Sequence, residues 1–369
     1  MTQKTLKLTQ FFITPTVVTT WQVEQWQQLL SQAYASQLVA RVYWLLTTYQ
    51  LTAYIPTGLE WHFSSAYTVF QAHRDDVRRE IAQITSALST GNIQPVFLKG
   101  AAYILAEDDC HFGRLFADVD IYVEKSSLAN TEQLLRWHGW VSRELDAHDE
   151  RYYRDWMHEI PPMGNSKTNM TIDVHHNLVP LVSRIKLDAV KLHERLINYP
   201  TFQLLSLEDR ILHSAVHLLL DGEFQHGFRD LHDLYLLLNQ AMRDEPEFIS
   251  ILQIRAQQLG FELITWYLLR LMVDIFDMKL SPQTLQQSDQ VVRWLGIRRI
   301  VLYLFKRVLL PDQQFRRSSR FRHYAWLLYI RSHWLKMPVH LLIPHLCYKA
   351  LITPYLQRKK NNQLAANRE

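Results

Sequence analysis

The chain has 369 residues, more than one average domain, and its 48% hydrophobic and 21% charged content is that of a folded globular protein, which excludes long disorder. Ten glycines disfavour a glycine-rich dinucleotide-binding fold, and two cysteines, Cys110 and Cys347, are too few and too distant for a zinc site. The net charge of +4 is uneven: from Arg298 onward fifteen Lys and Arg face only Asp312 and Glu369, which leaves the rest of the chain net acidic. A basic, aromatic end implies an anionic partner, although it also fits a solubilising end or one packed on acidic helices.

The start, MTQKTLKLTQFF, lacks a basic stretch followed by a long apolar core, so no signal peptide is expected. With so few cysteines, this points to a reducing cytoplasm. Apolar residues at Leu29, Leu30, Ala33, Leu38, Val39, Val42 and Leu46 predict a helix over Trp21–Gln50. A second helix is predicted over Ser65–Leu88, ended by Ser89-Thr90-Gly91-Asn92. From Ile93 the texture turns to mixed strand and helix: strand Pro95–Leu98, helix Lys99–Glu107, loop Asp108–Ala117, strand Asp118–Val123 and helix Ser126–Trp137. Three further strands are predicted over Trp140–Leu145, Arg151–Glu159 and Met170–His175.

Beyond Leu207 the chain reads as helix again. Ser206 and Asp209 suggest a capping box for a helix ending near Asp221, with Gly222 as its cap. Later helices are expected at Asp230–Met242, Phe248–Leu259, Glu262–Phe276, Gln290–Leu310 and Arg320–Leu335. Leu341–Leu356 is apolar but short and broken by Pro344, His345, Lys349 and Pro354. It suits a membrane surface, with Arg358, Lys359 and Lys360 meeting headgroups, or a buried tail helix. The expected organisation is an N-terminal helical region (1–92), a mixed core (93–205), a helical domain (206–310) and a basic aromatic helical tail (311–369).

The chemistry centres on Asp118-Val119-Asp120-Ile121. Alternate strand side chains share a face, so Asp118 and Asp120 point together while Val119 and Ile121 enter the core. Adjacent carboxylates repel unless a cation lies between them, and hard oxygen ligands suit Mg²⁺ or Mn²⁺. An isolated pair of this kind is most often a solvated strand end. Ile172-Asp173-Val174-His175 repeats the alternation, and Asp173 on a neighbouring strand would complete a two-metal site; a surface Asp173–His175 ion pair is the plainer alternative. Upstream, Leu98-Lys99-Gly100 turns strand into helix, where free N–H groups, a close backbone at Gly100 and the Lys99 charge suit phosphate. Arg114 offers either a fork for phosphate oxygens or a salt bridge to Glu107 or Asp108.

In order, Leu98-Lys99-Gly100, Gly113-Arg114, Asp118-Val119-Asp120-Ile121 and Ile172-Asp173-Val174-His175 resemble the polymerase-beta-like nucleotidyltransferase superfamily. More closely, they resemble a bacterial family of uncharacterised nucleotidyltransferases that often accompanies surface-polysaccharide genes. The likeness covers about 93–177 well and extends loosely to Leu238. It implies an α+β fold, with a small mixed sheet set between helical regions. It further implies two metal ions on Asp118, Asp120 and Asp173, with Lys99, Gly100 and Arg114 at the triphosphate. Gly100-Ala101 departs from the superfamily's usual Gly-Ser, and the interval to Asp118 is long.

The resemblance implies nucleotidyl transfer from a nucleoside triphosphate to an unidentified acceptor. The acceptor could be a sugar, an antibiotic, a protein hydroxyl or a nucleic acid. A toxin-like enzyme acting on RNA or protein, and a non-catalytic scaffold of the same fold, are the competing readings. The tail would favour RNA or an anionic membrane, the latter making the protein peripheral to the inner membrane face. His213, His217, Asp221, Arg229, Asp230, His232 and Asp233 form a further polar cluster, expected to line the site wall or to satisfy one another in a polar core.

Overall fold

The computed structural model describes residues 6–355 apart from Arg143, Glu144, Asn169, Asp188, Asp221, Val291 and Arg293. Asp221 and the Arg358–Lys360 run therefore lie outside the described residues. The fold is α+β, as expected: one mixed sheet set between helical regions. Its strands are β1 (Val96–Phe97), β2 (Asp118–Tyr122), β3 (Trp140–Ser142), β4 (Met163–Asn165), β5 (Thr171–His175), β6 (Ile197–Asn198) and β7 (Gln203–Leu204), in the order β3-β4-β5-β2-β1-β7-β6. β2 runs parallel to β5 and antiparallel to β1, which in turn runs parallel to β7.

Strand alternation sorts the two faces. Val119, Ile121, Ile172 and Val174 are fully buried and pack against Val77, Ile81 and Ile84 of the long helix Glu60–Ser89 and Leu135 of Leu128–Trp137. The opposite face carries the polar residues of β2 and β5. Nearby lie helices Leu207–Leu220 and Gly227–Asp244, whose apolar faces build a second, larger core with the N-terminal helices.

Several local expectations change. The helix expected over Trp21–Gln50 is two helices, Val23–Ala35 and Val39–Thr48, because Gln37 adopts a left-handed φ of 55° and turns the chain. The segment expected as a strand over Arg151–Glu159 is mainly helical. Asp146 accepts a bond from the Asp149 N–H at 2.8 Å and starts the helix Ala147–Arg151, which a π turn extends through Trp156. Only Glu159 reaches the sheet, as a single antiparallel bridge to His175. The capping box before Leu207 is half-formed. Ser206 accepts from the Asp209 N–H, but the Asp209 carboxylate turns away to a buried fork with Arg255, 2.7 Å on both arms.

The tail is docked, not free. Its helix Ser319–Lys336 sends Arg331 and Ser332 to the carbonyls of Leu219 and Leu220, at the open C-terminal end of the helix they finish. Trp334 stacks under Arg184 at 3.9 Å. The following helix, Val339–Cys347, buries no residue, so a buried tail helix is not what forms there. Among the described residues no helix is long and apolar enough to cross a membrane.

Candidate active site

The parallel register sets Asp120 directly beside Asp173 and Asp118 beside Thr171. Carboxylate oxygens of Asp118, Asp120 and Asp173 all lie within 4.8 Å of one another. The expected triad therefore converges, and it does so on the face opposite the Val119–Ile121 core.

Its charges are unevenly balanced. Asp120, 3% exposed, receives the Lys99 ammonium at 2.8 Å and the His175 Nε2–H at 2.9 Å, both on Oδ1. Burial alone would raise the Asp120 carboxyl, but Lys99 and His175 outweigh it and hold it well below the usual carboxylate range. Burial would likewise lower the Lys99 ammonium, yet Asp120 makes the net shift upward. Asp173 has no such partner. Burial first, then the charges of Asp120 and Glu159, push its carboxyl up to about 7, and its buried Oδ1 has no hydrogen bond. An orphaned, desolvated oxygen beside two further carboxylates fits a divalent cation.

Gly100 contributes differently from the expected close backbone approach. A Cβ there would lie 2.7 Å from the Phe116 ring, so the glycine makes room for that ring at the edge of the site. Lys99 itself begins the short helix Lys99–Leu105 with a left-handed φ of 43°.

Arg114 does not pair with Glu107 or Asp108. It binds Asp230 at 3.0 Å and also Asp233. Asp108 is instead forked by Arg210 at 3.0 and 2.9 Å. The loop carrying Arg114 is held almost residue by residue from distant helices. Arg41, fully buried, pairs with Asp233 and donates to the carbonyls of Cys110 and Phe112. Arg229 donates to the Leu115 carbonyl at 2.9 Å, and Arg243 meets Asp109 at 2.6 Å. Asp233 thus bridges Arg41 and Arg114, and each cation holds part of the loop in place. In the sequence Arg229, Asp230 and Asp233 stand out as a polar cluster without this role; Arg41 and Arg210 give no signal, because nothing near either one marks its distant partner.

Of the cluster's histidines, His213 and His232 are buried, while His217 is exposed at the cleft. Burial, Lys99 and His175 push His213 down to about 3, and the neighbouring Lys99 charge holds His217 well below its ordinary value. His232 stacks on Phe12 at 3.6 Å. Among the described residues neither His213 nor His217 joins a group able to share an ion. A cleft of about 660 Å³ opens beside the triad, lined by Asp118, Asp173, His217, His226, Arg229 and Asp230 among others. It adjoins a smaller recess of about 100 Å³ lined by Lys99, Gly100, Arg114 and Asp120.

No curated protein and no solved structure matches the chain. One family does, over residues 22–277, a span that reaches well beyond the carboxylate core to include Arg41 and the helices that clamp the loop. With that share of its length matched, the chain belongs to the family described as uncharacterised nucleotidyltransferases.

Proposed function

We propose that the protein is a metal-dependent nucleotidyltransferase that moves a nucleotidyl group from a nucleoside triphosphate to an acceptor hydroxyl. The observation that carries this is the orphaned Oδ1 of Asp173 facing Asp118 and Asp120 across a parallel strand pair. Asp118, Asp120 and Asp173 are the residues that would hold two Mg²⁺ or Mn²⁺ ions. Such ions, when bound, neutralise charge on the phosphates and on the departing pyrophosphate.

Lys99 and His175 keep Asp120 ionised and fix its orientation. Arg114, held by Asp230 and Asp233, and Gly100 border the recess that takes the phosphates. Arg229 adds a further cation at the mouth of the cleft. The acceptor hydroxyl attacks the α-phosphorus, pyrophosphate leaves, and the proton passes to Asp173. The open cleft leaves room for a sizeable acceptor, and the resemblance to polysaccharide-associated relatives makes a sugar the first class to try. A scaffold needs no acidic cluster, which disfavours the non-catalytic reading. The test is label transfer from the four α-labelled triphosphates to cell extract. Wild type should label an acceptor and Asp120→Asn should not; near-normal transfer by that variant removes Asp120 from the site.

The tail fits an anionic membrane surface better than RNA. Its exposed side chains are aliphatic as well as aromatic: Trp326, Leu327, Ile330, Trp334, Ile343 and Leu351 all face solvent. Stacking on bases calls for rings, whereas an interface also takes up aliphatic groups beside basic ones. Removing the whole tail would uncap Leu219 and Leu220, so substitution is the cleaner probe. Trp326→Ser with Ile330→Ser, one turn apart on an exposed face, should weaken flotation with phosphatidylglycerol vesicles by about tenfold while leaving the melting temperature unchanged. Unchanged flotation, or loss of tRNA binding instead, overturns the membrane reading.

A further inference from the structure

A second group of ligand atoms stands beside the carboxylate triad. The chain returns after the π turn to pair Glu159 with His175 in an antiparallel bridge. Residues opposed in this way carry their side chains on one face. His158 joins them, its ring centre 5.2 Å from that of His175, and ligand atoms of His158, Glu159 and His175 all fall within 4.8 Å of one another.

The placement of the His175 ring is the decisive detail. Its Nε2–H donates to Asp120, which leaves Nδ1 aimed at Glu159 Oε2 at 3.6 Å, beyond hydrogen-bond range. His175 is 2% exposed and Nδ1 has no other partner; His158 Nδ1 is likewise buried and unpartnered. A lone pair set against a carboxylate is repulsive unless a proton or a metal ion lies between them; burial would lower the His175 imidazole, but Asp120 and Glu159 outweigh it and raise it, so proton and metal ion compete for that position. A separation of 3.6 Å is close to that of two ligands on one tetrahedral ion with bonds of about 2.1 Å. A ligating histidine characteristically donates its other N–H to a carboxylate, the role Asp120 fills.

We propose that His158, Glu159 and His175 form a nitrogen-preferring divalent metal site, suited to Zn²⁺, separate from the all-oxygen triad and joined to it through the His175–Asp120 hydrogen bond. Two imidazoles and one carboxylate supply three ligands and leave a fourth position open to water. The two sites sort ions by softness: Mg²⁺ has no reason to prefer imidazole, and Zn²⁺ does. The proposal concerns the metal alone and holds whether or not the chain transfers nucleotides.

Wild-type protein is titrated with Zn²⁺ against a chromophoric chelator, and separately with Co²⁺ in the visible. One tight Zn²⁺ equivalent and intense Co²⁺ bands of a four-coordinate, nitrogen-ligated ion are expected. His158→Ala and, as a milder second variant, Glu159→Gln should each weaken Zn²⁺ by at least about tenfold. Mg²⁺-dependent triphosphate binding should persist in both, so failure of this site and failure of the transferase reading are read separately. Zn²⁺ affinity that is unchanged in both variants but lost in Asp173→Asn assigns the ion to the triad and overturns the proposal. So does a weak, six-coordinate Co²⁺ spectrum in the wild type, which needs no variant to fold.

Discussion

Asp173→Asn is expected to raise the thermal stability of the metal-free protein, and Asp120→Asn to lower it, although both remove one carboxylate from the same cluster. From the sequence alone, repulsion within Asp118-Val119-Asp120 suggests that neutralising Asp120 relieves strain. The structure moves that relief to Asp173. Asp120 is the partner of a half-sequestered Lys99 ammonium at 2.8 Å and of His175, so Asp120→Asn strands a cation. Breaking such a pair costs about 3–5 kcal/mol, less here to the extent that Asn still accepts a hydrogen bond.

Asp173 has no cation of its own, and burial pushes its carboxyl up to about 7. A carboxyl that binds its proton more tightly folded than unfolded costs stability as pH rises past its unfolded value near 4, and the full cost is reached above about 7. Asp173→Asn should therefore stabilise by on the order of 2–3 kcal/mol at about pH 8, and by nothing below about pH 4. Thermal melts of both variants across this range, in chelator, check the pair. Equal destabilisation at pH 8 contradicts the charge balance described above.

Gly113→Ala should cost at least about 3 kcal/mol and abolish triphosphate binding with it. Gly113 has a φ of 70°, and a Cβ there would lie 2.2 Å from the Arg41 backbone nitrogen. Neither neighbour yields easily. Arg41 is pinned by Asp233 and by the carbonyls of Cys110 and Phe112, and the loop is pinned by Arg41 in return. Displacing the loop also displaces Arg114 and Phe116 at the edge of the recess. Gly58→Ala is the control, since it shares a positive φ of 92° but meets nothing within 4 Å. It should cost only about 1 kcal/mol, the backbone term alone. Urea midpoints that coincide for the two variants would show that the contact with Arg41 carries no weight.

What could be read from the sequence was what depends on near neighbours. The alternation in Asp118-Val119-Asp120-Ile121 and Ile172-Asp173-Val174-His175 placed every one of these side chains on its correct face. The helices Phe248–Leu259 and Glu262–Phe276 end where expected, with Gly260 at a left-handed φ of 74° between them. The strand expected over 151–159 failed because Tyr152, Tyr153 and Trp156 carry strand-like composition, while the cap at Asp146 lay outside the pattern. The partners of Arg114 were out of reach for a different reason. Asp230 and Asp233 lie more than a hundred residues away, and nothing local distinguishes them from Glu107 or Asp108. The same holds for Arg41, whose ion pair with Asp233 closes across most of the family-matched span.

Asp118, Asp120 and Asp173 are expected to bind triphosphate only through divalent metal, which titration calorimetry of the wild type measures. Nucleoside triphosphates are titrated into the protein in Mg²⁺ or Mn²⁺, then in EDTA, and the comparison is repeated with Asp173→Asn, which is expected to stay folded. Saturable binding heat is expected in Mg²⁺ or Mn²⁺, lost in EDTA and lost in the variant under either condition. Equal affinity and heat with EDTA present would mean that the triphosphate is held without metal, and the carboxylate triad would then have no part in binding it.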